Sequence, residues 1–364
     1  MSYYERLTAA DTVFLRIETP LEPQLVGSLS VFDGGRLRDG SGRIRFDELR
    51  DHVDRRLDRV PRMRQRIMEV PFGQGRPVWV DDEQFDLEYH VRHGRLPKPG
   101  DWRQFCIHMA RYHSRPLDMT RPLWEMYVVE GLDNIDWLPK GSYAIATKIH
   151  HAAVDGKSIV DFFGALADVD NKGTPAVPLN SARLRRSPEP SWLDMAVRAA
   201  WHTVRSPIGL TDAVMRAAPS IYNAAQSALR SQKEERQRQR VPDTRFNSIV
   251  SPQKMFGARV FSLADLKAIR EAVPGSTIND VILTICGGGL RRYLQHHEEL
   301  PDQSLVAFVP INARRDATSD PDAPGNRITA MTAPIHTDIE DAQERLAQIH
   351  LATQRSKAAK SGIS

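Results

Sequence analysis

The chain has 364 residues, of which 41% are hydrophobic and 26% are charged, and its formal net charge is +4. This composition excludes a disordered or membrane-spanning chain, and the length exceeds one ordinary core, so we expect two domains or two large subdomains. The charge surplus is small and the sequence has no zinc-finger or RNA-binding signature, so nucleic acid is not an expected partner.

The N-terminal residues carry charges at Glu5, Arg6, Asp11 and Arg16, which excludes the apolar core of a secretory signal. No stretch approaches the roughly 20 apolar residues that a membrane span needs. The two cysteines, Cys106 and Cys286, lie far apart in sequence, which favours a reducing compartment. We therefore expect a cytoplasmic protein that meets lipid, if at all, from the surface.

The first predicted domain covers residues 1–170 and alternates strand and helix patterns. Strands are predicted at 26–32, 123–132 and 143–151, and an amphipathic helix is predicted at 46–57. Apolar residues at helical spacing follow from Ile159 to Val169, which places the run HHAAVDG (150–156) on a strand-to-helix connection. Catalytic residues are often found on such connections.

Residues 171–243 are predicted to form a crossover linker with amphipathic helices. Its apolar stripe from Trp192 to Val204 fits either a helix packed on the protein or a helix at a membrane interface. Its basic run from Lys233 to Arg240 fits a solvated face, or a surface that attracts phosphate groups such as those of anionic lipid. The second predicted domain, 244–364, resumes the mixed pattern, with strand signals at 258–263 and 305–313.

The run HHAAVDG places His150 and His151 at the end of an apolar strand, with Asp155 four residues after His151. An imidazole has an ordinary pKa of about 6.5, so a histidine held there could take a proton from a hydroxyl or thiol at neutral pH. Asp155 could orient His151, or could hold the loop through an arginine. Two alternatives remain open from these residues: a pair of structural histidines, and a metal site that adds His108 and His113.

Several further runs accompany this motif in a fixed order, and with them the chain resembles the bacterial wax ester synthase/diacylglycerol acyltransferase family from about Ala9 to its end. The runs are DTVFLRIETPLEPQLVGSLSVF (11–32), PLDMTRPLWEMYVVEGL (116–132), HHAAVDG (150–156), STINDVIL (276–283), FVPINARRD (308–316) and APGNRIT (323–329). The resemblance implies a mixed α/β fold of two similar domains, like that of chloramphenicol acetyltransferase and other CoA-dependent acyltransferases.

The resemblance also implies roles for individual residues. His151 would be the general base, His150 a supporting residue and Asp155 a structural or orienting one, with Gly156 and Asp280 at the substrate. Asn279 could donate a hydrogen bond to the developing oxyanion, or could cap the helix that follows it. No metal or cofactor is expected, because acyl-CoA is a substrate.

Two residues of the run RPLW have ordinary structural explanations. We expect Trp124 to lie in the core and Arg121 to form an ion pair. Both are therefore predicted to be structural.

The expected activity is acyl transfer from long-chain acyl-CoA to diacylglycerol, or to a fatty alcohol, by a protein at the inner membrane face or a lipid-droplet surface. The family that the chain resembles continues with closing strands of the second domain that are not found before Ser364, so the resemblance implies an incomplete second domain. This favours one alternative, an inactive lipid-associated paralogue. A condensation domain of peptide synthesis shares HHxxxDG, but the RPLW and NARRD runs weigh against it.

Overall fold

The structure, a computed structural model, describes residues 5–71, 76–154, 162–168, 242–248, 250–312 and 328–361. These residues divide into two compact units, one with residues up to 168 and 250–257, the other with 242–248, 258–312 and 328–361. Both units contain strands as well as helices, which confirms the mixed α/β class. The stripe from Trp192 to Val204 and the run from Lys233 to Arg240 lie outside the described residues.

The first unit is built on two sheets. In chain order the elements are β1 (Glu5–Arg6), α1 (Ala9–Ile17), β2 (Leu25–Phe32), α2 (Phe46–Leu57), β3 (Gln65–Met68), β4 (Val78–Asp81), α3 (Leu87–His90), β5 (Val91–Arg95), α4 (Trp102–Ser114), β6 (Trp124–Glu130) and β7 (Tyr143–His150). The four-stranded sheet has the order β2–β7–β6–β5 and is antiparallel except for the parallel β5–β6 pair. The antiparallel three-stranded sheet has the order β1–β4–β3.

The central strands β6 and β7 of the larger sheet are buried on both faces because they carry apolar side chains on both sides. On one face Trp124, Met126 and Val128 of β6 pack with helix α2 in one core cluster. On the other face Val129 and Ala146 pack with helix α4 in a second cluster. The sheet therefore lies between α2 and α4, and the carboxyl end of β7 leads out of this layered core.

The sequence predictions for this unit agree closely with the structure. The helix predicted at 46–57 is α2, and the strands predicted at 26–32, 123–132 and 143–151 correspond to β2, β6 and β7 within two residues at each end. Residues 162–166, inside the predicted helical stretch after HHAAVDG, are helical. These segments have strong periodicity, which is why their pattern alone identifies them.

The second unit contains α5 (Leu263–Glu271), α6 (Ile278–His296), the antiparallel pair β8 (Val306–Asn312) and β9 (Ile328–Pro334), and α7 (Ala342–Ser361). Leu294, Leu305 and Ile335 form its core cluster. Glycine weakens a helix by about 1 kcal/mol, yet α6 contains three in succession. A side chain at Gly287 would collide with the carbonyl of Ile335, so the close packing of α6 on that backbone requires glycine.

The strand predicted at 258–263 is wrong. Residues 258–262 adopt no regular structure, and Val260 and Phe261 are exposed. A strand is stable only when a neighbouring strand satisfies its backbone groups, and none of the described strands pairs with this segment. Of the helices that the structure describes, none is long and apolar enough to span a bilayer.

Candidate active site

His151 lies at the point where buried strand β7 ends. A short 3₁₀ helix (His151–Ala153) begins there, and the backbone N–H of His151 donates to the carbonyl of Gln24 at 2.8 Å. The imidazole ring stacks on Phe14 of helix α1, with the ring centres 4.3 Å apart and 12° between the planes. Backbone and ring are thus both held, as a positioned general base requires.

The surroundings of His151 favour its neutral form. Burial lowers the pKa of His151 below its usual 6.5, while its own carbonyl and the Asp11 carboxylate act in the opposite direction. Nδ1 is buried and has no hydrogen-bond partner in the described parts of the chain. A neutral imidazole can accept a proton at pH 7, so this ring is suited to general-base chemistry.

His150 is held differently and has no free ring nitrogen. It is fully buried, and its Nδ1 accepts a hydrogen bond of 2.9 Å from the backbone N–H of Ala152. Nε2 must then carry the proton, which it donates to Glu18 Oε2 at 3.2 Å. Burial lowers the pKa of His150 and Glu18 opposes this effect. His150 therefore anchors the strand end beside the base.

Glu18 and Phe14 are site residues that the sequence reasoning did not identify. Helix α1 begins with a capping box in which Thr8 and Asp11 satisfy each other's backbone N–H groups. The helix places Phe14 on His151. Glu18 is the residue that follows the helix as its C-cap, and its Oε1 accepts from the N–H of Gln24 at 3.3 Å. Both residues belong to the opening run DTVFLRIETPL. Their place in this run is the signal in the sequence that connects them with the site.

Replacing Glu18 by alanine should lower kcat by about 10-fold or more with little change in KM, because a small displacement of a catalytic group is costly. The change removes the partner of His150 and the support of Gln24, whose carbonyl holds His151. Steady-state kinetics on purified protein would measure it. Glu22→Ala, in the same exposed turn, is the matched control and should behave as wild type. Equal kinetics for both variants would contradict this positioning role.

A buried ion pair lies two residues before His150. Lys148 is 1% exposed, and its Nζ lies 3.1 Å from Glu125 Oε2 and donates to the Arg115 carbonyl at 3.0 Å. The ammonium also lies 4.6 Å from the ring centre of Tyr112. Burial lowers the pKa of Lys148, and Glu125 opposes this effect. The pair joins β6 and β7 to the end of α4, which makes the strand end rigid.

The two residues of RPLW lie beside this sheet. Trp124 is 1% exposed, stacks on His90 and donates from Nε1 to the Met63 carbonyl at 2.7 Å. Arg121 forms an ion pair with Asp118 at 3.4 Å and lies over the ring of Tyr89. None of these four contacts involves His151. Asp155 and Gly156 lie outside the described residues.

Asn279 and Asp280 belong to the first turn of α6 in the second unit. Asn279 is exposed, and the helix cap is Thr277, whose Oγ1 accepts from the N–H of Asp280 at 3.2 Å. Both carboxylate oxygens of Asp280 accept hydrogen bonds from side chains of α7, His350 at 3.0 Å and Thr353 at 2.8 Å. Asp280 therefore joins the start of α6 to α7.

The metal-site alternative involved His108 and His113, which both lie on α4. The His113 ring packs against Gly27, and the His108 ring lies 5.3 Å from Tyr127, centre to centre. Within the described ranges, no three His, Cys, Asp or Glu side chains gather to form a possible metal site.

Comparison with solved structures places this architecture in a known class. A wax ester synthase/diacylglycerol acyltransferase from Marinobacter aquaeolei VT8 superimposes with a TM-score of 0.65 and 26% identity, covering 98% of this chain and 73% of that one. The first condensation domain of the calcium-dependent antibiotic synthetase gives a TM-score of 0.52 at 14% identity, covering 99% and 76%. The chain thus has the fold shared by these acyltransferases and condensation domains, as the sequence predicted.

Sequence comparison then identifies the family. Residues 7–282 match the model of the wax ester synthase/diacylglycerol acyltransferase catalytic domain. A Mycobacterium tuberculosis H37Rv protein named "Probable diacylglycerol O-acyltransferase" is 31% identical, covering 95% of this chain and 72% of the relative. The chain belongs to the wax ester synthase/diacylglycerol acyltransferase family, which confirms the resemblance found in its motifs.

Proposed function

We propose that the chain transfers an acyl group from acyl-CoA to the hydroxyl of diacylglycerol, forming triacylglycerol, or to a fatty alcohol, forming a wax ester. The observation that carries the proposal is His151, a positioned imidazole whose pKa is lowered by burial, in a member of this family. Burial keeps the ring neutral, and a neutral ring is the form that removes a hydroxyl proton.

In the proposed reaction, a single residue carries out both proton transfers. His151 accepts the acceptor hydroxyl's proton through Nε2 as the oxygen attacks the thioester carbon. The tetrahedral intermediate then collapses, the C–S bond breaks, and the imidazolium returns the proton to the departing CoA thiolate. The proposal includes no covalent enzyme intermediate, metal or cofactor.

The remaining roles are proposals of the same kind. Asn279 is exposed on the first turn of α6 and has an amide N–H₂ that can donate to an oxyanion. Asp155 is proposed to orient the histidine loop and Gly156 to lie at the substrate. Because long-chain acceptors are insoluble in water, we place the protein at a lipid surface in the cytoplasm, such as the inner membrane face or a lipid droplet.

The direct test offers radiolabelled long-chain acyl-CoA to purified protein with diacylglycerol and, separately, with a fatty alcohol, and separates products by polarity. Labelled triacylglycerol or wax ester that depends on protein and acceptor is the expected result. Absence of both products from folded protein would favour the inactive paralogue. Transfer to an amine in place of a hydroxyl would favour a condensation-type enzyme.

The pH dependence of kcat/KM tests the protonation state of His151. The rate should rise with pH and level off, with its midpoint below 6.5, because the neutral ring is active and burial lowers its pKa. Rates between about pH 5 and pH 8 cover this window. A midpoint above 6.5, or a rate that falls with rising pH, would show that the ring is not a buried neutral base.

A further inference from the structure

A groove outside the His151 site runs along the outer face of α4 in the first unit. Its cavity volume is about 750 Å³, and its opposite wall is the segment 252–256. This segment is fixed at two points: the N–H of Lys254 donates to Ser114 Oγ at 3.2 Å, and Phe256 packs against the core cluster of Phe105. The groove is therefore a defined surface feature, and the proposed reaction does not use it.

The charged side chains that line the groove are all positive. Arg103, Arg111, Arg115 and Lys254 line it, and no Asp or Glu is among its lining residues. In the parts of the chain that the structure describes, none of these four side chains forms an ion pair. Burial first, and then Arg111 and Arg115, lower the pKa of the neighbouring His108. Such a surface attracts anions.

Apolar side chains lie among these cations. Ile107 is 40% exposed and lies one helical turn from both Arg103 and Arg111. Met255 is 99% exposed, although the residues on either side of it are anchored to the unit. Projecting apolar side chains bordered by arginine and lysine form the pattern that binds a membrane interface, with the cations at the head groups and the apolar groups below them.

We propose that this groove docks the protein on an anionic lipid surface, with Arg103, Arg111, Arg115 and Lys254 at lipid phosphates and Met255 inserted among the acyl chains. The inference rests on the lipid-surface location proposed above and names the surface responsible. The concave shape accommodates a phosphate head group between α4 and Lys254. Charge complementarity selects an anionic bilayer over a neutral one.

Vesicle co-sedimentation of the full chain tests the proposal, using phosphatidylcholine alone or mixed with the anionic lipid phosphatidylglycerol. Arg103→Gln/Arg111→Gln should weaken binding to the anionic vesicles about 30-fold, since each basic residue at such a surface contributes about 1 kcal/mol. Met255→Ser should weaken it several-fold with no loss of stability, because this side chain is exposed. Arg43→Gln/Arg55→Gln, which changes two exposed arginines outside the groove, is the matched control.

Each outcome decides between distinct possibilities. Selective loss in the groove variants, with the control unchanged and circular dichroism as in wild type, supports the proposal. Wild-type affinity in both groove variants overturns the groove assignment, even if the protein still binds lipid. Equal binding to neutral and anionic vesicles overturns the role of charge. Displacement of the protein from anionic vesicles by micromolar adenosine 3′,5′-bisphosphate would instead assign the groove to a nucleotide. Transfer assayed in detergent-dispersed substrate tests the reaction separately.

Discussion

Replacing His151 by alanine should lower kcat for acyl transfer by about 10²- to 10⁴-fold, the range associated with loss of a positioned general base. The loss follows from the stacked, partly buried position of this ring at the end of β7. Among the described residues, the adjacent His150 is not available to replace it, because its two ring nitrogens are engaged with Glu18 and with the Ala152 N–H. Single-turnover measurements with labelled acyl-CoA would separate this chemical step from substrate binding.

His150→Ala is the companion variant and should retain measurable transfer while losing stability. It removes a buried hydrogen-bonded ring, which costs about 1 to 3 kcal/mol, but leaves the base in place. Phe14→Leu keeps an apolar contact on His151 and should lower the rate only modestly. If the two histidine variants retained equal activity, the assignment of His151 as the base would be wrong.

Replacing Asp280 by alanine should reduce the free energy of unfolding by about 3 to 5 kcal/mol, because buried polar partners would lose their acceptor. Asp280 is fully buried, and its carboxylate accepts from the Thr277 backbone N–H at 2.9 Å as well as from His350 and Thr353. These hydrogen bonds outweigh the effect of burial and hold the pKa of Asp280 below its usual range. Urea unfolding followed by circular dichroism would measure the loss.

The adjacent Asn279 provides the matched control, since it is exposed on the same helical turn. Asn279→Ala should change stability by less than about 0.5 kcal/mol, and any effect should fall on turnover if its amide faces the oxyanion. A stable Asp280→Ala protein with a raised KM would instead support contact between Asp280 and substrate.

The sequence predicts best where a segment's own pattern determines its structure. The apolar spacing of α2 and the apolar runs of β6 and β7 identify these elements nearly to the residue, and HHAAVDG places its histidines at a strand end. The motif resemblance selects His151 as the candidate base without any three-dimensional information, and that role stays a prediction. These features depend on periodicity and local residue type, which sequence displays directly.

The contacts that hold the site are not visible in this way. Glu18 and His150 are 132 residues apart, and Asp280 and His350 are 70 apart, so their pairing depends on tertiary packing. The strand signal of Val260 and Phe261 was misleading for the same reason, because strand formation depends on a partner elsewhere in the chain. Thr277, and not Asn279, caps α6 because it lies at the residue where helical geometry begins.

The pairing of β2 with β7 has a consequence for when the site can form during folding. Leu25 is opposite His150 in this antiparallel pair, so the turn that carries Glu18 and Gln24 reaches the histidines only after two distant parts of the chain align. Such long-range closure is slow compared with helix formation. A shift of one residue along the pair would point the His150 side chain to the opposite face of the sheet, away from Glu18. The proposed catalytic arrangement therefore depends on correct alignment of the sheet, and a chain misaligned there is expected to be inactive although its helices were intact.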